Sequence, residues 1–182
     1  MTAEPPASAY DMGHKAETEN LATFAILVDN EPGVLHRVVG LFAARGYNIE
    51  SLTVAETDET AHTSRITIVT RGTPQVLAQI EAQLQKMVST RHVVNVTTDP
   101  NGVQRELALV KVRGTGADRV EALRISDIFR ARVIDTTSTS FIFEITGASS
   151  KIDKFVGLMR PLGLVEVSRT GALSIDRGEE ML

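Results

Sequence analysis

Thr23-Phe24-Ala25-Ile26-Leu27-Val28-Asp29-Asn30-Glu31-Pro32-Gly33 decides the fold, because an apolar run of strand length stops there at a turn and helix-start signal. Past it, Leu35, Val38, Val39 and Phe42 recur at i, i+3, i+4 and i+7, so a helix is expected to turn them inward as one face. Gly46 stands where a left-handed residue ends such a helix. Two strand-like runs come next. In Ile49 to Ala55, Leu52 and Val54 share a face; in Thr63 to Thr70, Ile66 and Ile68 alternate with Arg65 and Thr67. Thr57-Asp58-Glu59-Thr60 reads as the polar turn between them. Pro74 then opens a helix with Leu77, Ile80, Leu84 and Val88 at helical spacing, and His92 to Thr97 forms a last strand. The order is β-α-β-β-α-β.

Asp99-Pro100-Asn101-Gly102 is a cluster of breakers, after which the same order returns. Leu107 to Val112 is a strand, and Ala117 to Phe129 a helix expected to face inward with Val120, Leu123 and Ile128. Val133-Ile134 and Phe141 to Ile145 are strands around the turn Thr136 to Ser140. Ile152, Phe155, Val156 and Met159 mark a second helix, and Leu164 to Val167 a closing strand. The expected fold is α+β, two tandem ferredoxin-like βαββαβ domains, each with two helices on one face of a four-stranded antiparallel sheet. The division expected is a leader over 1–20, a first domain over 21–98, a linker over 99–104, a second domain over 105–178 and a tail over 179–182. The leader, with Pro5 and Pro6 and no hydrophobic period, reads as flexible.

Composition excludes several classes of function. The 182 residues suffice for two domains of roughly 80 residues, a size near the low end of independent stability, so a shared interface or an oligomer is expected. With 19 Lys+Arg against 23 Asp+Glu the net charge is -4, and no broad positive field exists to attract nucleic acid. RNA readers of this fold class need exposed aromatics on central strands, whereas the chain has 6 Phe, 2 Tyr and no Trp. No apolar run approaches the ~20 residues of a membrane helix, and the start lacks a signal peptide, so a cytoplasmic protein is expected. Cys is absent, which removes disulfides and thiolate chemistry.

No catalytic set and no metal set emerges. His14, His36, His62 and His92 fall in the leader, a helix, a loop and a strand start, with no pair at ligand spacing. Neither a nucleophile elbow nor a Walker loop is present. Gly114-Thr115-Gly116 has Arg119 where a dinucleotide loop needs its third glycine, and it reads as a tight turn. One constellation suits a ligand, Asp29-Asn30-Glu31-Pro32-Gly33-Val34-Leu35 at the first strand-helix junction. A helix start offers free N–H groups and partial positive charge to a carboxylate, Gly33 leaves room, and the Asn30 amide can both donate and accept. Those groups match an α-amino acid. Caps are common, however, and on these residues alone the simpler reading is that Asn30 caps the helix and Gly33 eases packing.

Asn30-Glu31-Pro32-Gly33-Val34-Leu35, Arg37-Val38-Val39-Gly40-Leu41-Phe42 and Arg45-Gly46-Tyr47-Asn48-Ile49-Glu50-Ser51-Leu52-Thr53-Val54 together resemble the ACT domain of acetolactate synthase small subunits. The opening motif is shared by many ACT domains; Arg-Gly-Tyr-Asn-Ile-Glu-Ser-Leu is more particular to this family. Arg105-Glu106 through Leu109-Val110-Lys111-Val112, and Ile128-Phe129-Arg130 to Val133-Ile134-Asp135, extend the resemblance over about residues 22 to 178. It implies an N-terminal ACT domain and a C-terminal ACT-like domain in a non-catalytic subunit. That subunit would activate a catalytic large subunit joining two pyruvates into 2-acetolactate and carbon dioxide, and would make it inhibitable by valine or a related branched-chain amino acid. The chain itself would bind no cofactor, with thiamine diphosphate, Mg2+ and FAD on the large subunit. The resemblance further implies a homodimer through ACT domains, with Asn30, Gly33, Val34 and Leu35 of one protomer and Asn48 and Ile49 of its neighbour around the effector. An amino-acid sensor of another enzyme or of a transcription factor is the alternative reading, and a small enzyme of this fold is a third.

Overall fold

Apolar strand residues buried under two helices form each half of the molecule. The computed structural model describes residues 18–58, 60 and 62–179; His14 and most of the leader lie outside these. The first half contains β1 (Asn20–Asp29), α1 (Val34–Ala44), β2 (Ile49–Asp58), β3 (Thr63–Gly72), α2 (Pro74–Gln85) and β4 (Thr90–Asn95). The second contains β5 (Gly102–Arg113), α3 (Gly116–Phe129), β6 (Arg132–Thr136), β7 (Ser140–Gly147), α4 (Ser149–Met159), β8 (Leu164–Arg169) and β9 (Leu173–Asp176). Strand orders are β2-β3-β1-β4 and β6-β7-β5-β8, every pairing antiparallel, so the expected βαββαβ unit occurs twice. In the first core Phe24, Ile26, Val28, Ile66 and Ile68 meet Val38 and Phe42 of α1 and Leu77, Ile80 and Leu84 of α2. In the second, Val110, Val112, Phe143 and Ile145 meet Ile125 of α3 and Ile152, Phe155 and Met159 of α4, with the Phe143 and Phe155 rings edge to face.

Helix starts explain where the helices stand. Thr73 caps α2 through its Oγ1, which accepts from the Val76 N–H at 3.4 Å, and Pro74 follows at the first helical position. α1 has no side-chain cap: its N-cap residue is Gly33, at φ 83°. Three expected helix faces are corrected. On α1 the buried row is Val34, Val38 and Phe42, while Leu35 is 38% exposed, because the helix packs along its four-residue row from Val34 onward. On α2 Val88 falls beyond the last helical residue, Gln85, and is fully exposed. On α3 Ala122, Ile125 and Ser126 face the core, whereas Val120, Leu123 and Ile128 face outward.

Several strands run further than expected, β2 and β5 with the largest consequences. Thr57 and Asp58 extend β2, with Glu59 of the expected turn outside the described residues. β5 begins at Gly102 rather than Leu107, since its first four residues pair with β9, a strand the periodicity did not announce. This β5–β9 ribbon covers the helix-free face of the first sheet. Thr23 and Thr67, polar residues on that face, are consequently only 3% exposed.

Candidate functional site

The β1–α1 loop brings four of the six expected site residues together. Asn30 is exposed, its backbone N–H donating to the His62 carbonyl at 2.7 Å. Gly33 adopts a left-handed conformation that other residues rarely take, and a Cβ placed on it would meet only the Arg37 guanidinium, Nη1 at 3.9 Å. Val34 is 6% exposed, so it can offer a ligand its backbone but not its side chain. Leu35 is open to solvent. Around the helix start the Val34 N–H donates to the Glu31 carbonyl and the Arg37 N–H to the Gly33 carbonyl. The N–H groups of Gly33, Leu35 and His36 have no backbone acceptor among the described residues. They are the orphan donors every helix start creates, and no side chain covers them.

Arg37 is the residue that sequence reasoning missed. Its Nη2 donates to Ser89 Oγ at 2.7 Å and to Glu31 Oε2 at 3.1 Å, which holds the guanidinium beside Gly33. Its position four residues after Gly33, one helical turn on, is the only trace of this in the sequence. Ser89, at the far side of α2, comes near only in the fold. A second ion pair, Arg91 Nε to Asp29 Oδ1 at 2.6 Å, ties the end of β1 to β4. The loop thus presents free N–H groups and a fixed cation around a bare glycine, an arrangement suited to a carboxylate.

Asn48 and Ile49 lie elsewhere. Asn48 is exposed and its carbonyl accepts from Thr70 Oγ1 at 2.6 Å; Ile49 packs at the margin of the first core. Strand register fixes the separation: Ile49 is level with Thr70 and Ala22, whereas Asp29 is level with Thr63 and Asp58. Seven residue steps of strand separate the two ends, about 23 Å. Within one chain the six residues fall into two groups, too far apart to hold one amino acid between them.

Among the described residues no group of three His, Asp or Glu side chains is placed to hold a metal ion, and no helix is long and apolar enough to cross a membrane. Residues 24–92 match the family model of the AHAS small subunit-like ACT domain, and residues 105–178 that of the small subunit of acetolactate synthase. The acetolactate synthase small subunit of Haemophilus influenzae is 43% identical over 157 residues, covering 86% of this chain and 95% of that protein. The chain belongs to the acetolactate synthase small-subunit family. The isozyme 3 small subunit of Escherichia coli is likewise 43% identical, over 87% of this chain and 96% of its own length. The crystal structure of the Thermotoga maritima small subunit superposes with a TM-score of 0.75 at 39% identity, over 88% of this chain and 99% of that one. As a member of this family the protein is regulatory, and the small-subunit description that the family and its relatives carry implies a catalytic large-subunit partner. Both groups of residues fall within the stretch that matches the ACT domain.

Proposed function

We propose that this small subunit binds valine or a related branched-chain amino acid between two ACT domains and transmits feedback inhibition to the large subunit it activates. The observation that carries the reading is the uncapped start of α1, where free N–H groups and the Arg37 guanidinium surround Gly33. Residues 21–98 are the effector-binding domain in this proposal, 105–178 the second regulatory domain and 99–104 the connection. The effector carboxylate sits at Gly33 and Arg37, the Asn30 and Asn48 amides fix its polarity, and Leu35 with Ile49 enclose its aliphatic group.

A second copy supplies the missing half. β2 is an edge strand of ten residues with Val54 exposed, the kind of edge that pairs with another strand. Antiparallel pairing of two β2 strands about a two-fold axis sets the beginning of one beside the end of the other. Asn48 and Ile49 of one protomer then approach the Asn30 end of its partner. Burying a valine-sized group contributes about 1.5–3 kcal/mol, far short of the ~8 kcal/mol of micromolar binding, so the polar contacts carry the affinity. Linking the ligand to the arrangement of protomers gives it a means of control, typically ~1–3 kcal/mol of coupling.

The reaction controlled is the condensation of two pyruvates to 2-acetolactate with loss of carbon dioxide, in the cytoplasm. Thiamine diphosphate, Mg2+ and FAD supply that chemistry on the large subunit, and this chain contributes no reacting group. Mixing the purified chain with its large subunit tests the proposal: turnover rises on addition, falls again with valine, and the chain alone makes no acetolactate. Absence of stimulation would count against the regulatory pairing, and absence of any response to valine, leucine or isoleucine against the effector.

A further inference from the structure

β2 serves two parts of the molecule at once. Its beginning, following Asn48, belongs to the proposed effector site, while its middle touches the C-terminal half. Ile49 and Ser51 are separated by an irregularity in the pairing with β3, after which the strand runs in regular register through Glu56. Thr53 lies on that regular stretch, four residues or about 13 Å from Ile49. Its Oγ1 donates to the Ala172 carbonyl at 2.7 Å. On the neighbouring β3, Arg65 Nη1 donates to the Ser174 carbonyl at 3.1 Å. Ala172 and Ser174 are two residues apart, so their carbonyls leave the same edge of the β9 segment, the edge that has no strand partner among the described residues. Side chains of the first domain take both.

The halves also come close at Gly171. Its φ of 82° is left-handed, and a Cβ there would collide with Ser51 Oγ, which is buried without a hydrogen-bond partner among the described residues. Next to this contact the halves separate. A crevice of about 480 Å³ opens between Glu50, Leu52 and Arg71 on one wall and Asp153, Arg169 and Thr170 on the other. Each wall is closed on itself, by Arg71 Nε to Glu50 Oε1 at 2.9 Å and by Arg169 to Asp153 and Glu106 at 2.6–2.7 Å. No ion pair crosses the gap among the described residues. Near the effector half-site, then, the C-terminal domain is held by a few polar contacts along β2 and β3.

We propose that Thr53, Arg65 and Gly171 form the junction that positions the C-terminal domain according to effector occupancy at Asn48 and Ile49. Polar contacts fix a geometry and are readily exchanged for water, unlike a packed apolar seam. Within its own sheet β2 is an edge strand, and in the proposed dimer its other edge meets the partner's β2, so a change in how the protomers sit reaches β2 directly. A ligand drawing that edge toward a partner protomer moves Ser51 and Thr53 with it, and the β9 segment follows. The inference rests on the effector reading above; both are separated by the following test.

Thr53→Val removes the hydroxyl and keeps the shape, Thr53→Ser restores the hydroxyl, and Gly171→Ala wedges the junction open. Each full-length variant is examined for valine binding by calorimetry, for stimulation of the large subunit and for inhibition of the complex by valine. The expected result for Thr53→Val is unchanged calorimetric affinity and unchanged stimulation, with the half-inhibitory valine concentration raised on the order of five-fold or more. Thr53→Ser behaves as the wild type, and Gly171→Ala repeats the valine effect where it folds. Wild-type inhibition in Thr53→Val would overturn the proposal, and so would a joint loss of stimulation and inhibition with a lowered melting temperature, which marks a merely structural contact. A wild-type chain that binds no branched-chain amino acid would instead bring down the effector reading itself.

Discussion

Gly33 carries the sharpest test at the scale of one residue. At φ 83° any side chain adds strain of about 1–2 kcal/mol, although Asp tolerates this region better than most. Strain alone does not decide the outcome; charge does. An Asp at position 33 projects its carboxylate toward Arg37 and into the place proposed for the effector carboxylate. Two like charges about 4 Å apart repel by up to ~4 kcal/mol at an effective dielectric of 20, and even a quarter of that is a five-fold loss of affinity. Gly33→Asp is therefore expected to abolish valine inhibition and leave stimulation largely intact, with Gly33→Ala, which adds strain without charge, falling in between. Calorimetry showing wild-type valine affinity in Gly33→Asp would remove the site. The chemistry at Asn30 and Gly33 was legible because residue type and position alone imply it. Capping by Asn30 did not follow, since the N-cap position is Gly33 and Asn30 stands three residues too early. Arg37 was hidden because its partners Glu31 and Ser89 lie 6 and 52 residues away in sequence, and only folding brings the second one near.

Helix faces show at the scale of elements what periodicity can and cannot decide. α3 carries apolar residues on two sides, Val120, Leu123 and Ile128 on one and Ala122, Ile125 and Phe129 on the other. The core beneath is already filled by Phe141, Phe143 and Phe155, with ring centroids 5.4 and 5.9 Å apart, and Phe129 joins Phe155 at 5.5 Å. Ala122 and Ser126 turn inward beside Ile125 and Phe129 because small residues there let the helix come close to those rings. Ala122→Leu is thus expected to cost ~1–3 kcal/mol by overpacking, whereas Val120→Lys, on the 67% exposed side, stays within about 0.5 kcal/mol. Chemical denaturation of both variants checks this; equal costs would contradict the packing. Strands were easier: an apolar run ending at a turn signal identified β1, alternation identified β3, and short runs between turns gave β7 and the part of β5 from Leu107 onward. β9 escaped because Leu173 and Ile175 are exposed while Ala172 and Ser174 are buried, so its pattern puts the large residues outside. Its place follows from pairing with β5 and from the Thr53 and Arg65 contacts, which no local window contains.

The whole molecule is one supersecondary unit used twice, with the second copy lengthened so that it roofs the first. That roof explains why Thr23 and Thr67, which alternation assigns to solvent, are buried: Thr23 Oγ1 donates to Gln104 Oε1 at 3.2 Å beneath the ribbon. Stability of the assembly of halves should then depend on groups near their junction, and Glu106 is the most deeply buried charge there, at 4% exposure. Burial works against its ionised form, but hydrogen bonds from Arg169 and Ser149, the Arg169 charge and a bond from the backbone at Gly171 outweigh it and hold the carboxyl below its ordinary range. A carboxyl lowered in the folded state stabilises the fold fully above its unfolded pKa, and that contribution is lost as pH falls through the folded value. Wild-type stability is accordingly expected to drop steeply on acidification below the ordinary carboxylate range. Glu106→Gln keeps the shape and loses the charge. Arg169 retains Asp153 and is partly exposed, so the variant is expected to lose about 1.5–3 kcal/mol at neutral pH, the worth of hydrogen bonds to charged groups. It should also titrate less, so the two stability curves converge as pH falls. Thermal melts from neutral pH into the acid range measure both curves, and parallel curves would show that Glu106 is not the group whose protonation loosens the junction.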